Sequence, residues 1–222
     1  MKMRFEPWKS SWGRKGDSSP VVVVDKMKVL AINGSPRKNG NTQVMIEEAA
    51  KPLRRARIQV EVVSLRDYEI RPCNACELCY SKPWHCPIKD DAVKLLRKMK
   101  DADGLIVGSP VYGAGVTAQL KALLDRGVIA CINQDFKNKV GGAIAVGATP
   151  HGGQEFVIFQ IVSGFAFHGM IVANPKVELL GAMGTADGRG KIKEDKYGLR
   201  CAKELGERMV ELMKVRGLVR GK

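Results

Sequence analysis

The chain has 222 residues, of which 37 are Lys or Arg and 23 are Asp or Glu, so its formal charge is +14. With 45% hydrophobic and 27% charged residues, the composition is that of a folded globular protein and excludes intrinsic disorder. A chain of this length buries roughly 70% of its unfolded surface and needs no disulfides to hold a core. Its apolar runs are far shorter than a membrane span, and the first 20 residues lack the apolar stretch of a signal peptide.

The positive charge is spread along the chain rather than concentrated on one element. The densest cluster is formed by Lys51, Arg54, Arg55 and Arg57, and no run of five basic residues occurs. Few aromatic residues lie among the basic ones, so platforms that stack on bases are not expected. We therefore expect no nucleic-acid partner, which leaves solvated surface, anionic cofactors or an acidic protein to account for the charge.

Residues 1–26 show no sustained periodicity and are interpreted as an N-terminal arm. From residue 27 onward, strand and helix patterns alternate at the spacing of βα units. The predicted strands are residues 27–34, 59–65, 102–108, 139–147 and 170–173. The predicted helices are residues 41–53, 89–100, 116–127, 154–167 and 193–214. This alternation implies one domain, residues 27–222, with an open parallel sheet and right-handed crossovers.

Three segments interrupt the alternation. Pro52 lies inside the first predicted helix, where it is expected to kink the helix or end it. Residues 66–88 are irregular and rich in Pro and Cys, and they are interpreted as an insertion that carries the cysteines. Residues 174–190 contain four glycines and are predicted to form a loop.

The loop after the first strand, residues 34–42, has the composition of a phosphate site. It reads Gly-Ser-Pro-Arg-Lys-Asn-Gly-Asn-Thr and leads into the N-terminus of a helix. Backbone N–H groups and the helix dipole favour an anion there, and Arg37 adds a charge-assisted hydrogen bond. The loop matches neither the dinucleotide fingerprint nor the nucleotide P-loop, so a dinucleotide or triphosphate fits poorly. An ordinary capped turn is the alternative.

The loops after the third and fourth strands are suited to a planar ligand. Residues 108–115 combine Pro110 and Tyr112 with three glycines, and residues 147–154 have similar chemistry around His151. Taken singly, Tyr112 suits a half-buried core position and His151 a surface loop. In a parallel sheet, however, all three loops lie at the edge formed by the carboxyl ends of the strands, where ligands bind.

Residues 34–42, 109–113 and 120–126 together resemble the flavodoxin-like NAD(P)H-dependent FMN reductase family, and the similarity extends over roughly residues 27–215. The resemblance implies a flavodoxin-like α/β fold, with a doubly wound five-stranded parallel sheet in the order 2-1-3-4-5 and helices on both faces. It implies that FMN is bound, with its phosphate held by Ser35, Pro36, Arg37, Asn41 and Thr42. It places Pro110, Val111, Tyr112 and Gly113 on one side of the flavin ring and Thr149, His151, Gly152 and Gly153 on the other.

Four of the six cysteines, Cys73, Cys76, Cys79 and Cys86, lie within fourteen residues. Because no secretion signal is recognised, they do not predict disulfides, and such closely spaced thiolates prefer zinc or an iron–sulfur cluster. Structural zinc sites use two Cys-x2-Cys pairs separated by a dozen or more residues, whereas Cys-x2-Cys-x2-Cys is typical of ligands to a cubane. The spacing favours a [4Fe–4S] cluster, with zinc and a redox thiol cluster as alternatives. The two remaining cysteines, Cys131 and Cys201, are predicted to be core residues.

A flavodoxin-like domain with these cysteines before its second helix resembles the iron–sulfur flavoprotein family. The resemblance implies a homodimer or homotetramer in which single electrons pass from the cluster to FMN, often that of a neighbouring subunit. We expect an acidic electron donor such as a ferredoxin, and an acceptor such as oxygen, peroxide or a quinone. We also expect a cytoplasmic location without membrane association. Trp84 and His85, inside the cysteine segment, are candidates for shielding the cluster.

Two other functions are compatible with the same residues. The first is an NAD(P)H-dependent FMN or quinone reductase with a structural metal at the cysteines. The second is a nucleic-acid-binding regulator that uses the cluster as a redox sensor, which the dispersed charge disfavours. No Ser/His/Asp set and no pair of acid–base carboxylates stands out, so no side chain is predicted to act as a catalytic nucleophile or acid.

Overall fold

A computed structural model describes residues 27–176, 178 and 180–220, so the predicted N-terminal arm lies outside the described residues. The strands are β1 (Lys28–Asn33), β2 (Gln59–Ser64), β3 (Gly104–Pro110), β4 (Val140–Gly147), β5 (Ile171–Ala173) and β6 (Ala182–Thr185). The α-helices are α1 (Asn41–Arg55), α2 (Leu78–Ser81), α3 (Ala92–Asp101), α4 (Ala118–Arg126), α5 (Val128–Ile132), α6 (Gln154–Phe167) and α7 (Lys196–Arg220). Short 3₁₀ turns are formed by Leu65–Asp67 and Lys191–Glu194.

The strands form one parallel sheet in the order β2-β1-β3-β4-β5, which confirms the predicted flavodoxin-like order. A sixth strand, β6, corrects the prediction that residues 174–190 form only a loop. β5 pairs with the first half of β4 at Val140–Gly142, and β6 pairs with the second half at Ile144–Gly147. β6 has four residues, one of them glycine, so it is too short to show the alternation by which strands are recognised.

The first strand shows why helices cover both faces of the sheet. Val29 and Ala31 pack into a core with residues of α1 and α7, whereas Leu30 and Ile32 pack with residues of α3, α4 and α6. Successive side chains of a strand point to opposite faces, so a strand that is apolar throughout requires a helix layer on each side.

Helix α1 continues past Pro52 to Arg55, so of the two alternatives for Pro52, a kink or the end of the helix, the second is wrong. The proline lies in the last turn, where its missing N–H removes a single intrahelical hydrogen bond. Helix α7 packs closely against this turn, because a Cβ added at Gly206 would lie 3.2 Å from Pro52 Cγ and would collide with the carbonyl oxygen of Ala49. Packing of α1 against α7 thus stabilises a turn that the local sequence disfavours.

The two cysteines outside the cluster differ in burial. Cys201 is fully buried in α7, as predicted. Cys131 is half-buried on the short helix α5, with its Sγ 3.4 Å from the carbonyl oxygen of Phe167, so the prediction that it belongs to the core is wrong. Helix α5 begins immediately after Gly127 and carries Cys131 to the surface of the helix layer.

Candidate functional site

A pocket opens at the carboxyl ends of β1, β3 and β4, where the three predicted loops meet. Its lining residues come from the first two loops, from the end of β4 with the start of the third loop, and from the segment after β6. They are Ser35, Arg37, Asn41, Thr42, Pro110, Val111, Tyr112, Val146, Gly147, Ala148 and Ala186. The structure therefore brings together seven of the residues that were predicted to contact FMN. We call this pocket the flavin cradle.

The first loop of the flavin cradle is shaped by its own short side chains. The backbone N–H of Ser35 donates to Asn33 Oδ1 at 3.0 Å, and the N–H of Arg37 donates to Ser35 Oγ at 3.3 Å. Helix α1 then begins at Asn41 after Gly40, with no side-chain cap at its N-terminus and no acidic residue in its first turn. This N-terminus and the guanidinium of Arg37 favour an anion at the mouth of the loop.

The side chain of Asn41 joins the first loop to the segment after β6. Its Nδ2 donates to the carbonyl oxygen of Gly188 at 2.7 Å, and its Oδ1 accepts from the N–H of Gly190 at 2.9 Å. Arg189 donates to the carbonyl oxygen of Lys38 at 2.9 Å. Sequence reasoning did not assign residues 186–190 to the site, because the position of this segment depends on the unpredicted strand β6.

The second loop is a tight turn that exposes Tyr112. The backbone groups of Tyr112 and Gly115 exchange two hydrogen bonds of 2.9 and 3.0 Å. Between them, Gly113 and Ala114 adopt left-handed φ values of 53° and 58°. Tyr112 is 44% exposed, and its aromatic ring is flat enough to lie against a planar ligand.

The third loop contributes its first two residues, Gly147 and Ala148, to the lining of the flavin cradle, and the rest of the loop lies beside it. Gln154, at the start of α6, is buried and donates to the carbonyl oxygen of Thr149 at 2.8 Å. Gly153 packs against Val111, since a Cβ there would lie 3.1 Å from Val111 Cγ1. His151 is exposed, with its Nδ1 3.3 Å from Glu155 Oε1. The pKa of Glu155 is lowered by its own backbone N–H and by His151.

Four cysteines line a second pocket, which we call the cysteine pocket: Cys73, Cys76, Cys79 and Cys86. Its apolar wall is formed by α3 and α5 through Val93, Leu96, Val128 and Ile129. The pKa of the Cys79 thiol is raised by burial and, to a smaller extent, by the other three thiols, so Cys79 lies within electrostatic reach of all three.

The backbone around the cysteines is strained. Ala75, Glu77 and Trp84 adopt left-handed φ values of 53°, 60° and 59°. Such conformations are unfavourable for residues other than glycine and cluster where function requires them. The turn at Ala75 directs its backbone N–H towards Cys73 Sγ at 3.4 Å. The strain therefore places a hydrogen-bond donor beside a thiol.

A buried ion pair holds the two ends of the cysteine segment. Arg126 Nη1 lies 2.8 Å from Asp90 Oδ2, and the side chains of Arg126 and Asp90 are 3% and 0% exposed. Burial raises the pKa of Asp90, but hydrogen bonds from Arg126 and from the N–H groups of Arg71 and Ala92 outweigh this effect, so the pKa is lowered. Sequence reasoning missed Arg126, because neither its burial nor its partner 36 residues away is visible in a local pattern.

Trp84 provides a second anchor for the cysteine segment. Its Nε1–H donates to Asp135 Oδ2 at 3.0 Å, and the ammonium of Lys100 lies 5.1 Å from its ring centroid. Lys100 also forms an ion pair with Asp135 at 2.9 Å. These contacts connect the segment to α3 and to the turn between α5 and β4, and they account for Trp84 as a packing residue.

The donor set of the cysteine pocket suits a soft metal centre. Among the described residues, no three His, Cys, Asp or Glu side chains converge closely enough to bind a single metal ion. A four-iron cluster differs from one ion because it is larger and each cysteine binds a different iron, so its ligands surround a volume rather than a point. The four thiols around one largely apolar pocket fit such a group.

Comparisons with known proteins identify the family of the chain. A family model described as NADPH-dependent FMN reductase matches residues 27–182. The chain belongs to this family. Within it, the chain groups with the iron–sulfur flavoproteins: it is 45% identical to one from Methanocaldococcus jannaschii, over 85% of this chain and 98% of that protein. It is 35% identical to one from Methanosarcina thermophila, over 85% of this chain and 96% of that protein.

A solved WrbA-like flavodoxin from Agrobacterium tumefaciens shares the fold, with a TM-score of 0.57 and 17% sequence identity over 85% of this chain and 97% of that chain. Family membership makes the chain a flavin-dependent oxidoreductase that uses FMN. None of the helices in the described part of the chain is long and apolar enough to cross a membrane.

Proposed function

We propose that the chain transfers single electrons from a donor protein to a small-molecule acceptor through a [4Fe–4S] cluster and an FMN. The observation that supports this most directly is the cysteine pocket, where four thiols surround one space on a chain that also carries a flavin cradle. When bound, the cluster supplies one-electron transfer and the flavin supplies storage of two electrons. The residues of the chain set the positions and the surroundings of both groups.

In this proposal each residue set has a separate task. Cys73, Cys76, Cys79 and Cys86 ligate the cluster. Ser35, Arg37, Thr42 and the N-terminus of α1 bind the flavin phosphate, and Tyr112 with its neighbours in the second loop packs against the ring. The structure favours a different task for Asn41, which positions residues 188–190 beside the phosphate loop.

The [4Fe–4S] assignment is preferred to zinc for two reasons. The Cys-x2-Cys-x2-Cys run is typical of cubane ligands, whereas structural zinc needs two well-separated pairs. The four thiols also line one largely apolar pocket together, which suits a group that occupies a volume. Relatives that are 45% and 35% identical to the chain carry the name iron-sulfur flavoprotein, which agrees with this choice.

We further propose that the chain works as a homodimer or homotetramer in which α6 forms the interface. Phe156, Phe159 and Phe167 of this helix are 64%, 64% and 60% exposed, and Glu155 is its only charged side chain. Helix α6 starts directly after the third loop, so a second copy packed on it would lie beside the flavin cradle. The cradle and the cysteine pocket share no lining residue, so a neighbouring subunit would provide a route between the two sites.

The interface proposal is tested by size-exclusion chromatography with light scattering. We expect the double variant Phe156→Ser/Phe159→Ser to dissociate to a monomer, because it removes the largest exposed apolar area of α6. Val215→Ser, at a 58% exposed position of α7, is the control and keeps the native assembly. An unchanged assembly in the double variant would rule out α6 as the interface.

The proposed electron donor is inferred from the positive charge of the chain. A [4Fe–4S] cluster with four thiolates carries about −2 and an FMN phosphate about −1.5 to −2, so the loaded protein remains strongly basic. A broad positive field suits an acidic donor protein such as a ferredoxin, and oxygen, peroxide or a quinone is the proposed acceptor. Six cysteines without a disulfide among the described residues fit a reducing cytoplasm.

Metal, sulfide and flavin analysis of anaerobically purified protein tests the proposed function. We expect about four iron and about four sulfide per chain. Bound FMN and a broad visible absorption that dithionite bleaches are expected in the same sample. One zinc per chain without sulfide would contradict the cluster assignment.

The second candidate is an NAD(P)H-dependent FMN or quinone reductase whose cysteines hold a structural metal. It is favoured by the family model, which is described as NADPH-dependent. Stopped-flow mixing with NADH or NADPH distinguishes the two functions. Rapid bleaching of the flavin by either nucleotide would favour the reductase, whereas bleaching only by a reduced ferredoxin would favour electron transfer through the cluster.

A further inference from the structure

The guanidinium of Arg126 is buried beneath the cysteine pocket, and all its terminal nitrogens are engaged. Nη1 donates to Asp90 Oδ2 at 2.8 Å and to the carbonyl oxygen of Arg71 at 3.0 Å. Nη2 lies 3.2 Å from Asp90 Oδ1 and 3.2 Å from Cys86 Sγ. Each terminal nitrogen of arginine carries two N–H donors, so these four contacts use all four and hold the group in one orientation.

An ion pair with Asp90 would not by itself require this arrangement. A lysine can neutralise a buried carboxylate, but its single ammonium cannot make a bidentate contact and also reach a carbonyl and a sulfur. One N–H of Arg126 Nη2 faces Cys86 Sγ in the pocket, and the other faces Asp90 Oδ1. Arg126 lines the cysteine pocket and Asp90 does not, so the positively charged member of the pair is the one that faces the proposed cluster.

We infer that Arg126 donates a charge-assisted hydrogen bond to Cys86 as a cluster ligand and thereby raises the reduction potential of the cluster. This inference rests on the proposed function and assigns Arg126 as a positioning and tuning residue. Reduction adds one electron and no proton, so negative charge on the cluster and its thiolates increases. An N–H donor and a buried positive charge beside one thiolate stabilise that added charge, as hydrogen bonds to cluster sulfurs generally do.

The same guanidinium also sets the shape of the segment. Arg71 lies two residues before Cys73, and Asp90 lies four residues after Cys86, so one side chain ties both ends of the segment together. Asp90 Oδ2 accepts from the N–H of Arg71 at 2.9 Å, which closes the arrangement. Replacing Arg126 should therefore affect both the potential of the cluster and how firmly it is retained.

The test is a redox titration of the anaerobic holoprotein, followed by electron paramagnetic resonance of the reduced cluster. The variant is Arg126→Lys, which keeps the buried positive charge next to Asp90 and removes the planar fork. We expect at least a tenfold decrease in the equilibrium constant for one-electron reduction, which corresponds to about 59 mV towards negative potential. The matched control is Lys121→Gln, which removes a positive charge from the exposed face of the same helix α4 and leaves the potential unchanged.

A second measurement on the wild-type protein does not depend on a variant that folds. Protein labelled with 15N in the guanidino groups of arginine should show coupling between 15N and the reduced cluster in pulsed electron paramagnetic resonance. Labelled Arg126→Lys should lose this coupling where it retains the cluster. If Arg126→Lys fails to hold a cluster, the wild-type coupling decides the inference.

The outcomes separate the inference from the proposed function. A full complement of iron and sulfide, with no guanidino coupling or with an unchanged potential in Arg126→Lys, overturns the inference alone. Wild-type protein without iron and sulfide overturns the proposed function and the inference with it. Coupling in the wild type, together with a lowered potential in the variant, supports both.

Discussion

The flavin cradle and the cysteine pocket are built from different kinds of interactions. The cradle consists of backbone turns at the carboxyl ends of β1, β3 and β4, and the sheet brings these turns together whatever their side chains are. The cysteine segment contains no strand and is held by two long-range side-chain contacts, Arg126 with Asp90 and Trp84 with Asp135. Fold topology thus positions one site, and a buried ion pair positions the other.

This difference implies that the two sites can be lost separately. A change in a cysteine ligand should leave the sheet edge intact, and a change in the phosphate loop should leave the thiols in place. The two pockets share no lining residue, and the cysteine pocket rests on α3, α4 and α5 rather than on the strand ends.

The largest expected effect is that of Cys79→Ser on the cysteine pocket. Cys79 is a half-buried thiol of the pocket, and a serine hydroxyl is a poor ligand for iron. We expect loss of the cluster absorption and of most iron, with FMN bound at the wild-type level. Cys131→Ser, outside the pocket, should retain all the iron. Loss of FMN together with iron in Cys79→Ser would break the proposed independence of the two sites.

Arg37→Ala tests the same independence from the side of the flavin cradle. Removing a charged hydrogen-bond donor costs about 1.5–3 kcal/mol, so we expect FMN to bind about tenfold to a hundredfold more weakly. Iron and sulfide content should not change. The control variant is Lys38→Ala, because Lys38 is the next residue, is exposed and does not line the cradle. Equal losses in both variants would point to general electrostatic attraction instead of a defined phosphate site.

Acid is expected to weaken the core beneath the cysteine pocket. Burial lowers the pKa of His168 to about 4, and its ring packs on Phe136 with centroids 4.7 Å apart. The unfolded state binds a proton at this ring near pH 6.5, whereas the folded state binds it only near pH 4. The stability that the neutral ring contributes is therefore present above pH 6.5 and is lost as the pH falls towards 4. Because the His168 side chain is partly exposed to solvent, we expect the loss in the free energy of unfolding to be only roughly 1–2 kcal/mol.

Chemical denaturation at pH 7 and pH 5 measures this loss. His168→Leu should remove most of the difference between the two pH values, because its side chain does not titrate. Phe136 adjoins Asp135, the partner of Trp84, so release of the cluster should accompany the loss in stability before FMN is released. Release of FMN first would reverse the expected order.

The smallest expected effect is that of Asn41→Ala within the flavin cradle. It removes two hydrogen bonds to residues 188–190, but not a direct contact with the phosphate in our assignment. We expect FMN affinity to fall about threefold to fivefold, less than in Arg37→Ala. Gln43→Ala, in the same helix turn and outside the cradle lining, serves as the control. A loss as large as that of Arg37→Ala would show that Asn41 binds the flavin directly.

Much of the fold was predictable because its signals are local. The strands from β1 to β5 and the helices between them follow from short apolar runs and helical periodicity, and the sheet order agrees with the family resemblance. Strand β6 was missed because its four residues carry no period, and α1 passed Pro52 because α7 packs on that turn at Gly206. Both errors arise where tertiary contacts outweigh local preference.

The sequence by itself determined the donor chemistry: the spacing of four cysteines and the composition of three loops after strands. These features depend on neighbours within a few residues, so they can be read along the chain. Only the tertiary structure decided that Arg126 lies under Cys86, 40 residues away, and that Asn41 joins Gly188, 147 residues away. Such contacts exist only after folding has brought distant segments together, because no local pattern encodes the partner of a buried polar side chain.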